Sequence, residues 1–239
     1  MKMKKIIGII GAMDEEIAKL IAQADITVTE TVADMVFHAG SIGGTDVVIV
    51  RCGMGKVNAG ICAQLLITRY NTTHIINTGF SGALSPELGI GSIVISSDAV
   101  QHDFDVSPIG FKKGEIPFTG LVAFPADKEL VSSACKVIAE ALPDVKVVSG
   151  RICSGDQFIS DKADKERIVS EYGGLCCEME GAAVAQVCTL NHVPFLILRA
   201  VSDSADESAG GDFNFNVFQS SVAEEFAVAV VKLLDTVLK

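Results

Sequence analysis

The sequence predicts an α/β fold in which a mixed central β-sheet is flanked by helices, and two observations carry that prediction. Short β-branched apolar runs alternate with helix-like segments along most of the chain, as they do where helices cover both faces of a largely parallel sheet. Between residues 28 and 53, three strand-like runs follow one another with no helix between them, so part of the sheet must be antiparallel. With 239 residues, 49% of them hydrophobic, the chain can bury a full core without metal or disulfide staples. Residues 1–239 are read as one domain.

The elements follow in order. The apolar run from Ile6 to Met13 imitates a secretory leader, but it lasts eight residues, lacks an A-x-A cleavage pattern and meets Asp14-Glu15-Glu16 at once. A buried strand entering a helix with an acidic first turn accounts for the same letters. Strands are expected at 27–31, 35–39 and 46–50, with Gly43-Gly44 splitting the last two. A helix is expected over 56–70, a strand over 74–77, and a tight turn at Gly79-Phe80-Ser81-Gly82-Ala83. After a strand at 92–96 comes the irregular stretch 102–125, which carries three of the six prolines and is long enough to be functional or mobile. Helix 127–141, strand 145–152, helix 162–172, short strand 175–177, helix 180–191, strand 194–201 and a long amphipathic helix 217–238 complete the pattern. No apolar stretch approaches the roughly 18 residues of a membrane span.

Thirty acidic against 19 basic residues give a net charge of −11, and the five arginines are scattered. Nucleic acid is not an expected partner, because neutralising phosphates takes clustered cations. The seven cysteines contain no C-x-x-C pair, and the four histidines show no ligand spacing. Both facts argue against zinc and a disulfide framework, and for a reducing cytoplasm.

Three glycine-rich motifs fail their tests. Gly8-Ile9-Ile10-Gly11 lacks the G-x-G-x-x-G spacing of a dinucleotide site. Gly53-Met54-Gly55-Lys56 has Val57 where a P-loop needs Ser or Thr, and Ala83 spoils a G-x-S-x-G elbow around Ser81. What remains is a set of carboxylates at strand ends, where open α/β sheets hold ligands: Glu16, Glu178, Glu180 and Asp203. Each one singly also fits the acidic first turn of a helix. Four at one sheet edge point to a site.

Seven blocks carry a family resemblance: Gly8-Ile9-Ile10-Gly11-Ala12-Met13 with Glu16, Gly53-Met54-Gly55-Lys56-Val57-Asn58-Ala59, Ile76-Asn77-Thr78-Gly79, His102-Asp103-Phe104-Asp105-Val106, Ser154-Gly155-Asp156-Gln157-Phe158, Glu178-Met179-Glu180-Gly181-Ala182 and Arg199-Ala200-Val201-Ser202-Asp203. In these the chain resembles the bacterial 5'-methylthioadenosine/S-adenosylhomocysteine nucleosidases, within the wider superfamily of purine nucleoside and uridine phosphorylases. The resemblance runs from residue 4 to the last helix and implies a nucleoside phosphorylase-like domain. It makes Glu16 the base that activates water and Asp203 the acid that protonates adenine N7. It implies that Met179 and Glu180 grip ribose, that Phe158 stacks on adenine and that the backbone of Ile159 reads its edge. Phe215 and Met13 resemble the apolar wall beside ribose and the 5' substituent. Gly82 resembles the turn that approaches the ligand, Arg199 the group that orients the water, and Ser202 a binding residue beside Asp203. Phe80 departs from the pattern, standing where some members carry serine.

Cleaving an N-glycosidic bond builds positive charge on the sugar and negative charge on the departing purine. An acid near N7 relieves the second, nearby carboxylates stabilise the first, and water activated by a base completes inversion. No metal or organic cofactor is called for. The substrates implied are the nucleosides 5'-methylthioadenosine and S-adenosylhomocysteine, with 5'-deoxyadenosine and aminofutalosine as relatives differing at the 5' position. Two rival readings share these letters: a phosphorylase using orthophosphate, and a purine-nucleoside sensor without turnover. The resemblance also implies a homodimer in which Val106, Ile109, Phe111 and Pro117 of one chain close the 5' pocket of the other.

Overall fold

A computed structural model describes residues 4–206 and 226–236. In chain order the strands are β1 (Ile6–Gly11), β2 (Asp25–Val32), β3 (Met35–Ile42), β4 (Thr45–Arg51), β5 (His74–Ala83), β6 (Ile93–Gln101), β7 (Ala123–Pro125), β8 (Val147–Ser154), β9 (Cys176–Glu178) and β10 (Phe195–Asp203). The helices are α1 (Asp14–Gln23), α2 (Lys56–Tyr70), α3 (Lys128–Ala141), α4 (Lys162–Tyr172), α5 (Gly181–Leu190) and α6 (residues 226–236), with one turn of 3₁₀ helix at Ser107–Ile109.

Alternation along β1 explains the layering. Ile7 and Ile9 pack with residues of α1, α3 and α6, whereas Ile10 packs with residues of α2 and α5. Burial on both faces is why such strands read as unbroken apolar runs. β2, β3 and β4 form an antiparallel meander, as the helix-free stretch requires.

The sheet order is β10-β6-β8-β9-β5-β1-β4-β3-β2, with β7 paired to β6 and a further pairing of β10 with β5. That further pairing closes β5, β10, β6, β8 and β9 into a ring, from which β1, β4, β3 and β2 extend.

The turn expected at residues 79–83 is instead the second half of β5. Gly79 to Ser81 pair in register with Arg199 to Val201 of β10, and Gly82 with Asp203. Gly82 and Ala83 also pair with β9, so neighbouring strands hold this glycine-rich backbone extended. On the edge facing away from β10, β5 pairs with β1 only as far as Asn77 and with β9 only from Gly82. Residues 78–81 therefore have no strand partner on that edge. The expected helix 217–238 is described only over residues 226–236, and Phe215 lies outside the described residues. Among the described residues, no helix is long and apolar enough to cross a membrane.

Candidate active site

The break between β1 and β9 opens into a cleft, the place where split α/β sheets hold ligands. Its walls include Met13, Glu16, Gly82, Phe158, Ile159, Met179, Glu180, Ser202 and Asp203, all singled out from sequence. Met54, Phe80, Gln157, Cys177 and Glu178 join them.

Glu16 reaches this place through helix capping. It occupies the third position of α1, and its Oε2 accepts from the N–H groups of Ala12 at 2.6 Å and Met13 at 3.0 Å. Its Oε1 accepts from the Phe80 N–H at 3.0 Å, a donor on the stretch of β5 that β1 and β9 leave open. Capping and cleft thus use different oxygens of one carboxylate. Burial raises the Glu16 pKa above the usual value, against the lowering effect of Arg199 and the three N–H donors.

Asp203 reaches the cleft through a β-bulge. The β5–β10 register shifts between Val201 and Asp203, which leaves Ser202 as the extra residue and re-aims the strand end. Asp203 Oδ1 accepts from Ala205 N–H at 2.8 Å and Oδ2 from Ser202 Oγ at 2.7 Å. Two glycines make room for the two acids. A Cβ on Gly79 would lie 2.6 Å from Glu16 Oε1, and one on Gly82 would lie 2.8 Å from Asp203 Oδ1. Three residues along a strand span roughly 10 Å, so the two acids meet β5 at separate points of the cleft wall.

Arg199 does not line the cleft; it lies behind the wall, fully buried. It forms an ion pair with Glu178 and donates through Nη2 to Asn77 Oδ1 at 2.6 Å. Glu178 in turn caps α5, accepting from Glu180 N–H at 3.1 Å and Gly181 N–H at 2.8 Å, and it bonds Ser154 Oγ. Burial opposes its charge, but Arg199, Ser154 and Gly181 together hold its pKa below the usual value. Glu180 differs: burial and the neighbouring Glu178 charge push it up to about 7.

Phe158 is 64% exposed at the cleft mouth. Val106, Ile109, Phe111 and Pro117 do not line the cleft within one chain. The sequence marked Glu178 only as one of four strand-end carboxylates, and Asn77 and Gly79 only as members of a matching block, without an individual role for any of the three. Their signal was a polar or glycine position at the end of an apolar run. Among the described residues no cluster of three or more His, Cys, Asp or Glu is placed to hold a metal ion.

A split α/β sheet that presents the carboxylates of Glu16, Glu178, Glu180 and Asp203 to one cleft, beside apolar walls, is the arrangement of an enzyme for a small ligand. The chain belongs to the phosphorylase superfamily, whose family profile matches residues 6–239. It is 41% identical over 229 residues to the 5'-methylthioadenosine/S-adenosylhomocysteine nucleosidase of Shewanella loihica, covering 95% of this chain and 98% of that one. The crystal structure of the nucleosidase of that name from Neisseria meningitidis, in complex with methylthio-immucillin-A, superposes with a TM-score of 0.92 at 32% identity, covering 98% and 100% of the two chains. The futalosine hydrolase of Helicobacter pylori superposes with a TM-score of 0.89 at 31% identity, covering 97% of each.

Proposed function

We propose that this chain hydrolyses the N-glycosidic bond of 5'-methylthioadenosine and S-adenosylhomocysteine, releasing adenine and the corresponding thioribose. The observation that carries the reading is that Glu16 and Asp203 both line one cleft, each against a different glycine of β5. In this reading Asp203 delivers a proton to adenine N7 as the bond breaks. Glu16, its charge favoured by three N–H donors and opposed by burial, takes a proton from water that attacks the anomeric carbon from the other side. Glu180 and Met179 hold the ribose, Phe158 and Ile159 the base, and Met13 the 5' substituent, with Phe215 as a further part of that wall. Arg199 acts from behind the wall through its charge on Glu16 and Glu180. The names of the relatives support the substrate class, and the likeness to a futalosine hydrolase supports tolerance at the 5' position.

The working unit in this reading is a homodimer in the cytoplasm, where the loop bearing Val106, Ile109, Phe111 and Pro117 covers the partner's 5' pocket. Support comes from exposed apolar side chains on one chain: Ile109 is 73% exposed and Phe118 fully so. A monomer with full activity at micromolar concentration would rule out the shared pocket. For the reaction, the test is incubation with 5'-methylthioadenosine, S-adenosylhomocysteine and aminofutalosine, with chromatography for adenine. Free adenine is the expected product, and tight binding without adenine release would make the protein a sensor instead.

A further inference from the structure

The N-terminus of α2 has no acidic residue in its first turn and no side-chain cap of its own. Two carboxylates from distant parts of the chain serve it instead. Gly55 N–H donates to Glu180 Oε1 at 2.8 Å, and Lys56 N–H donates to Asp156 Oδ1 at 2.8 Å. The Lys56 side chain then turns back under the same segment. Its Nζ donates to Asp103 Oδ1 at 2.6 Å and to Gln101 Oε1 at 3.1 Å. Asp103 Oδ2 accepts from the Asp156 N–H at 2.9 Å, which closes a ring of contacts joining α2, the end of β6 and the segment after β8.

Within the ring the Lys56 and Asp103 side chains are 17% and 18% exposed, while Asp156 is exposed. Burial raises the Asp103 pKa, but the Lys56 and Asp156 hydrogen bonds overcome it and hold the carboxyl below its usual value. Neither Lys56 nor Asp103 lines the cleft; the segment they anchor supplies Gln157, Phe158 and Ile159 to its wall. Phe158 is 64% exposed, so its place depends on how its backbone is tethered rather than on core packing.

We infer that Lys56 is a positioning residue, which through Asp103 and Asp156 fixes the segment 156–159 against α2 and so sets the affinity of the cleft for adenine. The inference rests on the adenine-releasing reading above. A base held equally in ground and transition states affects KM more than kcat, and that split separates positioning from general loss of structure.

The test uses the full chain, comparing wild type with Lys56→Met, Lys56→Arg, Asp103→Asn and the Lys56→Met/Asp103→Asn double variant. Steady-state kinetics, adenine titration calorimetry and thermal melting are measured on each. For Lys56→Met, KM and the adenine Kd should both rise roughly tenfold, the lower end for one lost charge-assisted hydrogen bond, with kcat within about threefold. Lys56→Arg should recover most of the loss, and the double variant should be no worse than Lys56→Met. Unchanged KM and Kd in a folded variant, a fall in kcat alone, or additive losses would overturn the inference. Where Lys56→Met does not fold, the isosteric Asp103→Asn carries the same comparison. A wild type that binds adenine but releases none would sink the proposed reaction, while the adenine Kd values would still decide the role of Lys56.

Discussion

Arg199 Nε donates to Glu178 Oε2 at 3.1 Å, and the two side chains are 1% and 2% exposed. A guanidinium this deeply paired is not available to a ligand. Removing either partner would leave an uncompensated buried charge, which typically costs about 3–5 kcal/mol. Its field still reaches the cleft, lowering the pKa values of both Glu16 and Glu180 against the effect of burial.

Adenine release should therefore not depend on orthophosphate. No lysine or arginine is among the described residues lining the cleft, and a partly desolvated dianion needs cations or converging N–H donors. Removing phosphate should leave the rate unchanged, with the free reducing sugar as product. A sugar 1-phosphate, or a rate proportional to phosphate, would move the assignment to a phosphorylase.

Asp203→Asn keeps the shape of the side chain that accepts from Ala205 and Ser202. It should preserve nucleoside binding while lowering turnover roughly 10²–10⁴-fold, the usual scale for one general acid. Near-normal turnover would remove Asp203 from the mechanism. Glu16→Gln should stall the reaction with intact substrate bound, as seen in crystals of the complex; adenine in that density would count against the role.

The two glycines of β5 provide a test by addition rather than removal. Gly79→Ala places a methyl group 2.6 Å from Glu16 Oε1, and Gly82→Ala places one 2.8 Å from Asp203 Oδ1. The first must displace Glu16 and the second both Asp203 and Ala205, whose Cβ lies at the same 2.8 Å, and a shift of about 1 Å in a reacting group can lower kcat on the order of 100-fold. Both variants should bind nucleoside yet turn over slowly. Wild-type kcat in Gly79→Ala would mean that Glu16 has room to spare.

Stability should fall as pH rises from about 4.5 to about 7, through the proton on Glu180. Its pKa is raised from 4.5 to about 7 on folding, so the folded state holds more protons than the unfolded state within that window, and deprotonation favours unfolding. The contribution is on the order of 3 kcal/mol. Glu180→Gln should flatten the slope. The check is the denaturant midpoint at pH 5 and pH 8 for both proteins, and equal slopes would contradict the raised pKa.

Periodicity made much of the fold legible. The helix at residues 56–70 ends where the apolar spacing ends, and the helix-free stretch around Gly43-Gly44 became the β2–β3–β4 meander. Those features depend on neighbours a few residues apart. The glycine-rich stretch 79–83 misled for the converse reason. Glycine usually marks a turn, but here the β10 and β9 pairings and the space needed by two carboxylates required it.

By itself the sequence determined which carboxylates stand out: Glu16, Glu180 and Asp203 lie at strand ends, and only charge or capping would keep such groups there. Only the tertiary structure decided how each is used. Glu16 gains its third N–H donor from Phe80, 64 residues away, because the pairing of β5 with β1 ends at Asn77 and turns that N–H of β5 toward the carboxylate. Arg199, placed in the site by resemblance, is drawn behind it by Glu178 and Asn77. A buried charge takes the partners that packing brings to it, and strand pairing between distant segments decides which partners those are.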